Sequence, residues 1–225
     1  MQNQKRQPIF NAVSPIILLL MIIISFVSLS GLLFPFMSHI LMVYGALIPS
    51  DFSFSQSYRL ISYGFLHHDY AHLGMNMLWL LIFASPIQRF FGTKSVLIIF
   101  TIGLIAGGLI FLTYHNQSIV IGASAGVSAC AGAALRFMLK PASDFYGRPQ
   151  IYKLTDGRFL LPSMLFFITD IGNALFMSYT GQNIAWQSHI VGYIIGAVLM
   201  EFQYINHGAM KRPKLTPSEE TYLGN

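Results

Sequence analysis

Long apolar blocks separated by short polar stretches run along almost the whole chain. A membrane span needs about 20 mostly apolar residues, and six blocks meet that length: roughly 14–34, 70–90, 95–114, 122–139, 159–179 and 184–204. Between the first two lies a further apolar piece, Ile40 to Ile48, closed by Pro49. It is too short to span and reads as an interfacial or re-entrant segment. Lys5 and Arg6, followed by an apolar run and then Ser28-Leu29-Ser30, have the form of a cleaved leader. Apolarity nevertheless continues through Leu32, Leu33 and Phe34, so the block is expected to remain as a span. No repeat, low-complexity tract or second domain interrupts the 225 residues. The pattern predicts one domain over residues 1–225, an all-α membrane protein built as a bundle of six transmembrane helices.

Composition points to the same solvent: 54% of residues are hydrophobic, 9% are charged and the mean hydropathy is positive. Basic residues in short loops mark the cytoplasmic side. With six spans and the amino terminus inside, Lys5, Arg6, Arg89, Lys94, Arg136, Lys140, Arg148, Lys153, Arg158, Lys211, Arg212 and Lys214 all fall on that side. Only Arg59 falls outside. Both termini are therefore expected in the cytoplasm, and topology accounts for the net charge of +5. No basic patch with interleaved aromatics supports a nucleic-acid partner. The single cysteine, Cys130, lies among Ala129, Ala131 and Gly132, where small-residue packing is its expected role.

Polar side chains inside a bilayer are costly unless paired or facing a cavity. Those within the blocks are His72 and Asn76, Ser124 and Ser128, Asp170 and Asn173, and Ser188 and His189. His72 and Asn76 are four apart and share a helix face. Counting from the span ends at about 1.5 Å per residue, His72, Asn76, Ser124 and His189 all lie in the outer leaflet. The run from Gly122 to Ala134 has almost no side-chain bulk, and Gly192 and Gly196 follow His189, so the fourth and sixth spans are expected to meet backbone to backbone. Such contact brings Ser124 within reach of His189, as nucleophile and general base. The helix start at Ser124 favours an oxyanion, and His72 and Asn76 are candidate donors to it. The same counting puts Asp170 near mid-membrane, deeper than His189, which predicts a buried hydrogen-bonded role with no part in catalysis.

These residues resemble a known family. Gly122-Ala123-Ser124-Ala125 is similar to the Gly-x-Ser-Gly motif of rhomboid proteases, whose serine is the nucleophile. The segment from His189 to Gly196 resembles their last catalytic span, and that from His67 to Asn76 their second-span signature, preceded by a similar lead-in from Tyr58 to Leu66. The chain departs from the family at Ala125, where glycine is usual. It departs again at Ser128, where an aromatic often packs on the catalytic histidine, and at Gln88, where glutamate is frequent. The resemblance implies a bacterial-type, six-helix rhomboid-like bundle that cleaves single-span membrane proteins in or near the outer leaflet. It implies a Ser124–His189 dyad, an oxyanion site at His72 and Asn76, and neither metal nor cofactor. The implied partners are transmembrane substrates and the lipid bilayer, and the implied location is the inner (plasma) membrane. Substrate would enter between the second and fifth spans, under a loop near Ser178 to Asn183.

Two other readings compete. A rhomboid-like protein that binds membrane clients without cutting them would follow if Ala125 or Ser128 prevented the dyad from forming. A small transporter would carry inverted repeats or interrupted helices in matching halves, and neither pattern is present.

Overall fold

The computed structural model describes residues 13–113, 118–139, 150–179 and 184–210. Eight α-helices follow in order: α1 (Pro15–Leu33), α2 (Pro35–Gly45), α3 (Arg59–Ser62), α4 (Tyr70–Phe91), α5 (Thr93–Leu112), α6 (Ser124–Leu135), α7 (Gly157–Tyr179) and α8 (Trp186–Met210). Five of them, α1, α4, α5, α7 and α8, are long and apolar enough to cross a membrane. The fourth expected span is shorter than its apolar block: α6 has 12 residues, about 18 Å at the usual rise. Its companions bury it instead of lipid, and every residue from Ala125 to Ala134 is enclosed by protein. The all-α membrane bundle is therefore built as five long helices around one short central helix.

The interfacial piece also differs from its expected bounds. Helix α2 begins at Pro35, directly after α1, because Phe34 is extended (φ −123°) and Pro35 occupies the first helical turn, where a missing N–H costs nothing. The helix closes at Gly45, well before Pro49. Leu47 then pairs with Val120 in an isolated bridge, which ties this segment to the strand-like lead into α6. Ser14 caps α1, and its N–H donates to Gln88 Oε1 at 2.7 Å. The glutamine that departs from the family pattern thus anchors the first helix to the end of α4.

Small residues set the approach of the central helices. A Cβ on Gly107 would fall 2.5 Å from that of Ala125, and one on Gly103 would fall 2.3 Å from that of Ala129, so α5 meets α6 without side-chain bulk between them. On the other flank, a Cβ on Gly196 would overlap the Ala129 carbonyl. Ala125, unusual for the motif it resembles, fits because its neighbour on α5 is glycine.

Beyond the site, Arg136 follows α6 and is 1% exposed. It donates to the carbonyls of Tyr152 and Ala197 and pairs with Glu201. A charge removed from water in this way requires such partners. They clamp the end of α6 to α8 and to the segment that leads into α7.

Candidate active site

Helix α6 begins after Gly122, whose φ of +125° lies where only glycine is comfortable. The glycine is needed a second time, because a Cβ there would fall 2.7 Å from Cε1 and 2.9 Å from Nε2 of His72. The imidazole of His72 therefore sits directly over the residue that leads into Ser124. Helix α6 has no side-chain N-cap, so the N–H groups of its first turn, that of Ser124 among them, are not occupied by a capping side chain.

Ser124 Oγ lies 2.7 Å from His189 Nε2, and His189 Nδ1 lies 2.8 Å from Asp170 Oδ1. The close seam expected between the fourth and sixth spans is present and joins α6 to α8. Asp170, however, is not deeper than the imidazole, which corrects the sequence-based depth. Counting inward from the span ends assumed that they share one level. Helix α7 instead runs past the start of α8, to a Tyr179 that is 90% exposed, so Asp170, nine residues before that end, stands level with His189, three residues after Trp186.

His72 and Asn76 line the same cleft as Ser124 and His189. Asn76 is buried and uses one amide hydrogen on the His72 carbonyl at 2.9 Å, which leaves the second N–H available. His72 Nδ1 meets His68 Nδ1 at 2.8 Å, and His68 Nε2 meets Asp69 Oδ2 at 3.0 Å. One of the two Nδ1 atoms carries the hydrogen and the other accepts it; where His68 donates, His72 carries its own hydrogen on Nε2 and can donate there.

His67 is a residue that polar-position reasoning passed over, because it lies in the loop ahead of α4. It is 6% exposed, with Ala123 N–H donating to Nε2 at 3.4 Å and Ser28 Oγ at 2.8 Å from Nδ1. Ser28 donates to the Phe65 carbonyl at 2.9 Å. These partners fit one proton arrangement: Nε2 accepts, Nδ1–H donates to Ser28, and Ser28 donates onward. Burial, with the charges of His72 and His68 behind it, pushes His67 down to about 3. A neutral His67 thus holds the turn into α6. Only its place in the sequence signature hinted at this role, since Ser28 and Ala123 reach it through the fold.

Of the remaining polar candidates, Ser188 donates to the Gly107 carbonyl at 2.8 Å. Thr169, beside Asp170, bonds back to the carbonyls of Leu165 and Phe166. Ser128 and Asn173 line the cleft. The cleft measures about 1420 Å³. Met75, Trp79 and Phe83 of α4 face Leu165 and Phe166 of α7 across it. Residues 180–183 of the expected capping loop lie outside the described residues.

Comparison with known proteins bears on the family. A family model described as Rhomboid domain matches residues 55–204. Rhomboid-related protein 3 of Homo sapiens is 30% identical over 81 residues, which cover 36% of this chain and 20% of that protein. Rhomboid-like protease 3 of Toxoplasma gondii is 30% identical over 95 residues, covering 42% of this chain and 36% of that protein. The matched segments thus span about a fifth to a third of those relatives. With the family model covering two-thirds of its length and the signature residues gathered around one cleft, this chain belongs to the rhomboid family.

Proposed function

We propose that this protein is an intramembrane serine endopeptidase that cuts single-span membrane proteins. The observation that carries the reading is the 2.7 Å separation between Ser124 Oγ and His189 Nε2 at the uncapped start of a buried helix. A serine hydroxyl is inert until a base can take its proton, and an imidazole nitrogen at this distance is such a base. Ser124 Oγ attacks the scissile carbonyl while His189 accepts its proton. The tetrahedral oxyanion forms beside the first-turn N–H groups of α6, with His72 and Asn76 as further donors. His189 then protonates the leaving amine, and water, activated by the same imidazole, hydrolyses the acyl-enzyme and frees Ser124.

The cleft between α4 and α7 supports lateral entry of a substrate helix, since its walls are apolar away from the polar end that holds Ser124 and His189. The excess of basic residues in the loops at the opposite end supports an orientation with both termini in the cytoplasm and the site toward the outer leaflet of the inner (plasma) membrane.

The test is labelling of the purified, detergent-solubilised protein with a fluorophosphonate, which reacts with a base-activated serine. Modification is expected at Ser124, with loss of labelling in Ser124→Ala and in His189→Ala. Equal labelling of the wild type and Ser124→Ala would overturn the assignment. A correctly folded wild type that takes no label and cuts no membrane substrate would instead favour the client-binding reading.

A further inference from the structure

We propose that Asp170 is the positioning residue for His189, so that the site works as a Ser124–His189–Asp170 triad; this rests on the protease reading above. The three groups form one chain of contacts: Asp170 Oδ1 is 2.8 Å from His189 Nδ1, and His189 Nε2 is 2.7 Å from Ser124 Oγ. A carboxylate accepts only, so it holds the imidazole hydrogen on Nδ1 and leaves the Nε2 lone pair facing the serine hydroxyl, the arrangement a general base requires. During attack Nε2 takes the Oγ proton as the Oγ–carbon bond forms. The imidazolium that results carries its charge next to Asp170, which stays ionised.

Two further observations favour this role over simple interhelical attachment. His189 is the only hydrogen-bond partner of Asp170 among the described residues, and Asp170 Oδ2 is buried with none. A buried carboxylate satisfied at one oxygen is a costly way to join two helices, and α7 does not need it. Tyr193 of α8 stacks on Phe166 at 4.6 Å, meets Phe167 edge-on at 5.1 Å and shares a 2.7 Å hydrogen bond with Ser163 Oγ. Helix α7 is seated on α8 by that cluster. The second observation concerns Ser128, one turn past Ser124. It offers no ring against the imidazole, and among the described residues the hydrogen bonds that hold His189 are those to Asp170 and Ser124.

Asp170→Asn separates the two roles, because an amide of the same shape can still join the helices but carries no charge. Its NH₂ group donates to Nδ1, which moves the ring hydrogen to Nε2 and turns the wrong nitrogen toward Ser124. Turnover of a membrane substrate should fall on the order of 10⁴-fold, the effect of neutralising a triad acid. KM should stay near the wild-type value, and so should thermal unfolding in detergent. In ¹⁵N-histidine spectra, His189 of the wild type should carry hydrogen on Nδ1 with Nε2 bare, and the variant should show the reverse.

Wild-type turnover in Asp170→Asn would overturn the proposal, as would a neutral His189 with its hydrogen on Nε2 in the wild-type protein. The spectroscopic arm needs no variant and decides the matter even if Asp170→Asn fails to fold. Fluorophosphonate labelling of Ser124 in the same wild-type preparation keeps the outcomes distinct: labelled Ser124 with an indifferent Asp170 removes the triad and leaves the protease.

Discussion

A Cβ built on Gly192 would fall 2.3 Å from the carbonyl oxygen of Ala125, the residue immediately after the candidate nucleophile. The base and the serine are thus brought together by direct contact between one helix backbone and another. Even alanine at 192 must push α8 away from α6. A displacement on the order of 1 Å costs about 10²-fold when two groups must stay in hydrogen-bond reach, so the rate of Ser124 labelling in Gly192→Ala should fall by that order. Gly172→Ala on α7, where a Cβ meets nothing within 4 Å, should label like the wild type. If Gly192→Ala labelled normally, the α6–α8 seam would not be what sets the Ser124–His189 distance.

Removal of His72 or Asn76 should give a graded loss. Each is one donor among several, and loss of one oxyanion donor costs about 10²- to 10³-fold in turnover. His72→Ala and Asn76→Ala should both retain slow cleavage, measurable in proteoliposomes with a single-span substrate. Cleavage at the wild-type rate in both variants would leave them with the purely structural bond from Asn76 Nδ2 to the His72 carbonyl.

Acid should weaken the fold through His67. Its folded-state pKa is near 3 against an ordinary 6.5, so between those values the unfolded chain binds a proton that the folded one refuses. Stability therefore rises with pH in that window: this contribution is fully present above about 6.5 and is lost as the pH falls toward 3. The physical event is that a hydrogen added at Nε2 would confront the Ala123 N–H that now donates to it. Thermal unfolding followed from neutral pH to about pH 4 should show a falling midpoint, and His67→Gln, which cannot charge, should flatten part of that fall. A wild-type midpoint independent of pH would contradict the neutral, buried assignment.

Arg136 should matter to stability and not to chemistry. Its guanidinium reaches Tyr152, Ala197 and Glu201 together, a fork that the single ammonium of lysine cannot reproduce. Hydrogen bonds to charged groups contribute about 1.5–3 kcal/mol each, so Arg136→Lys should lower unfolding stability by about that much. Ser124 labelling per folded molecule should be unchanged. A parallel drop in labelling of the folded fraction would mean that the clamp also sets the register of α6 at its catalytic end.

The sequence by itself determined the solvent, the helical class and most helix bounds, because roughly 20 apolar residues in a row leave a backbone no other way to satisfy its hydrogen bonds in lipid. It also determined the pairing of Ser124 with His189, since the glycines at 122, 192 and 196 and the alanines after Ser124 state where backbones can touch. Tertiary structure decided what no linear count carries. The block 122–139 yields only the short helix Ser124–Leu135, because neighbouring helices, not lipid, surround it. Asp170 comes level with His189 because α7 extends beyond the start of α8, and the depth of a residue depends on where its helix sits as much as on its place along it. His67 acquires its partners, Ser28 and Ala123, from positions 39 and 56 residues away. Hydrogen bonds over such distances are settled by how the helices pack, and the sequence names only the side chains able to make them.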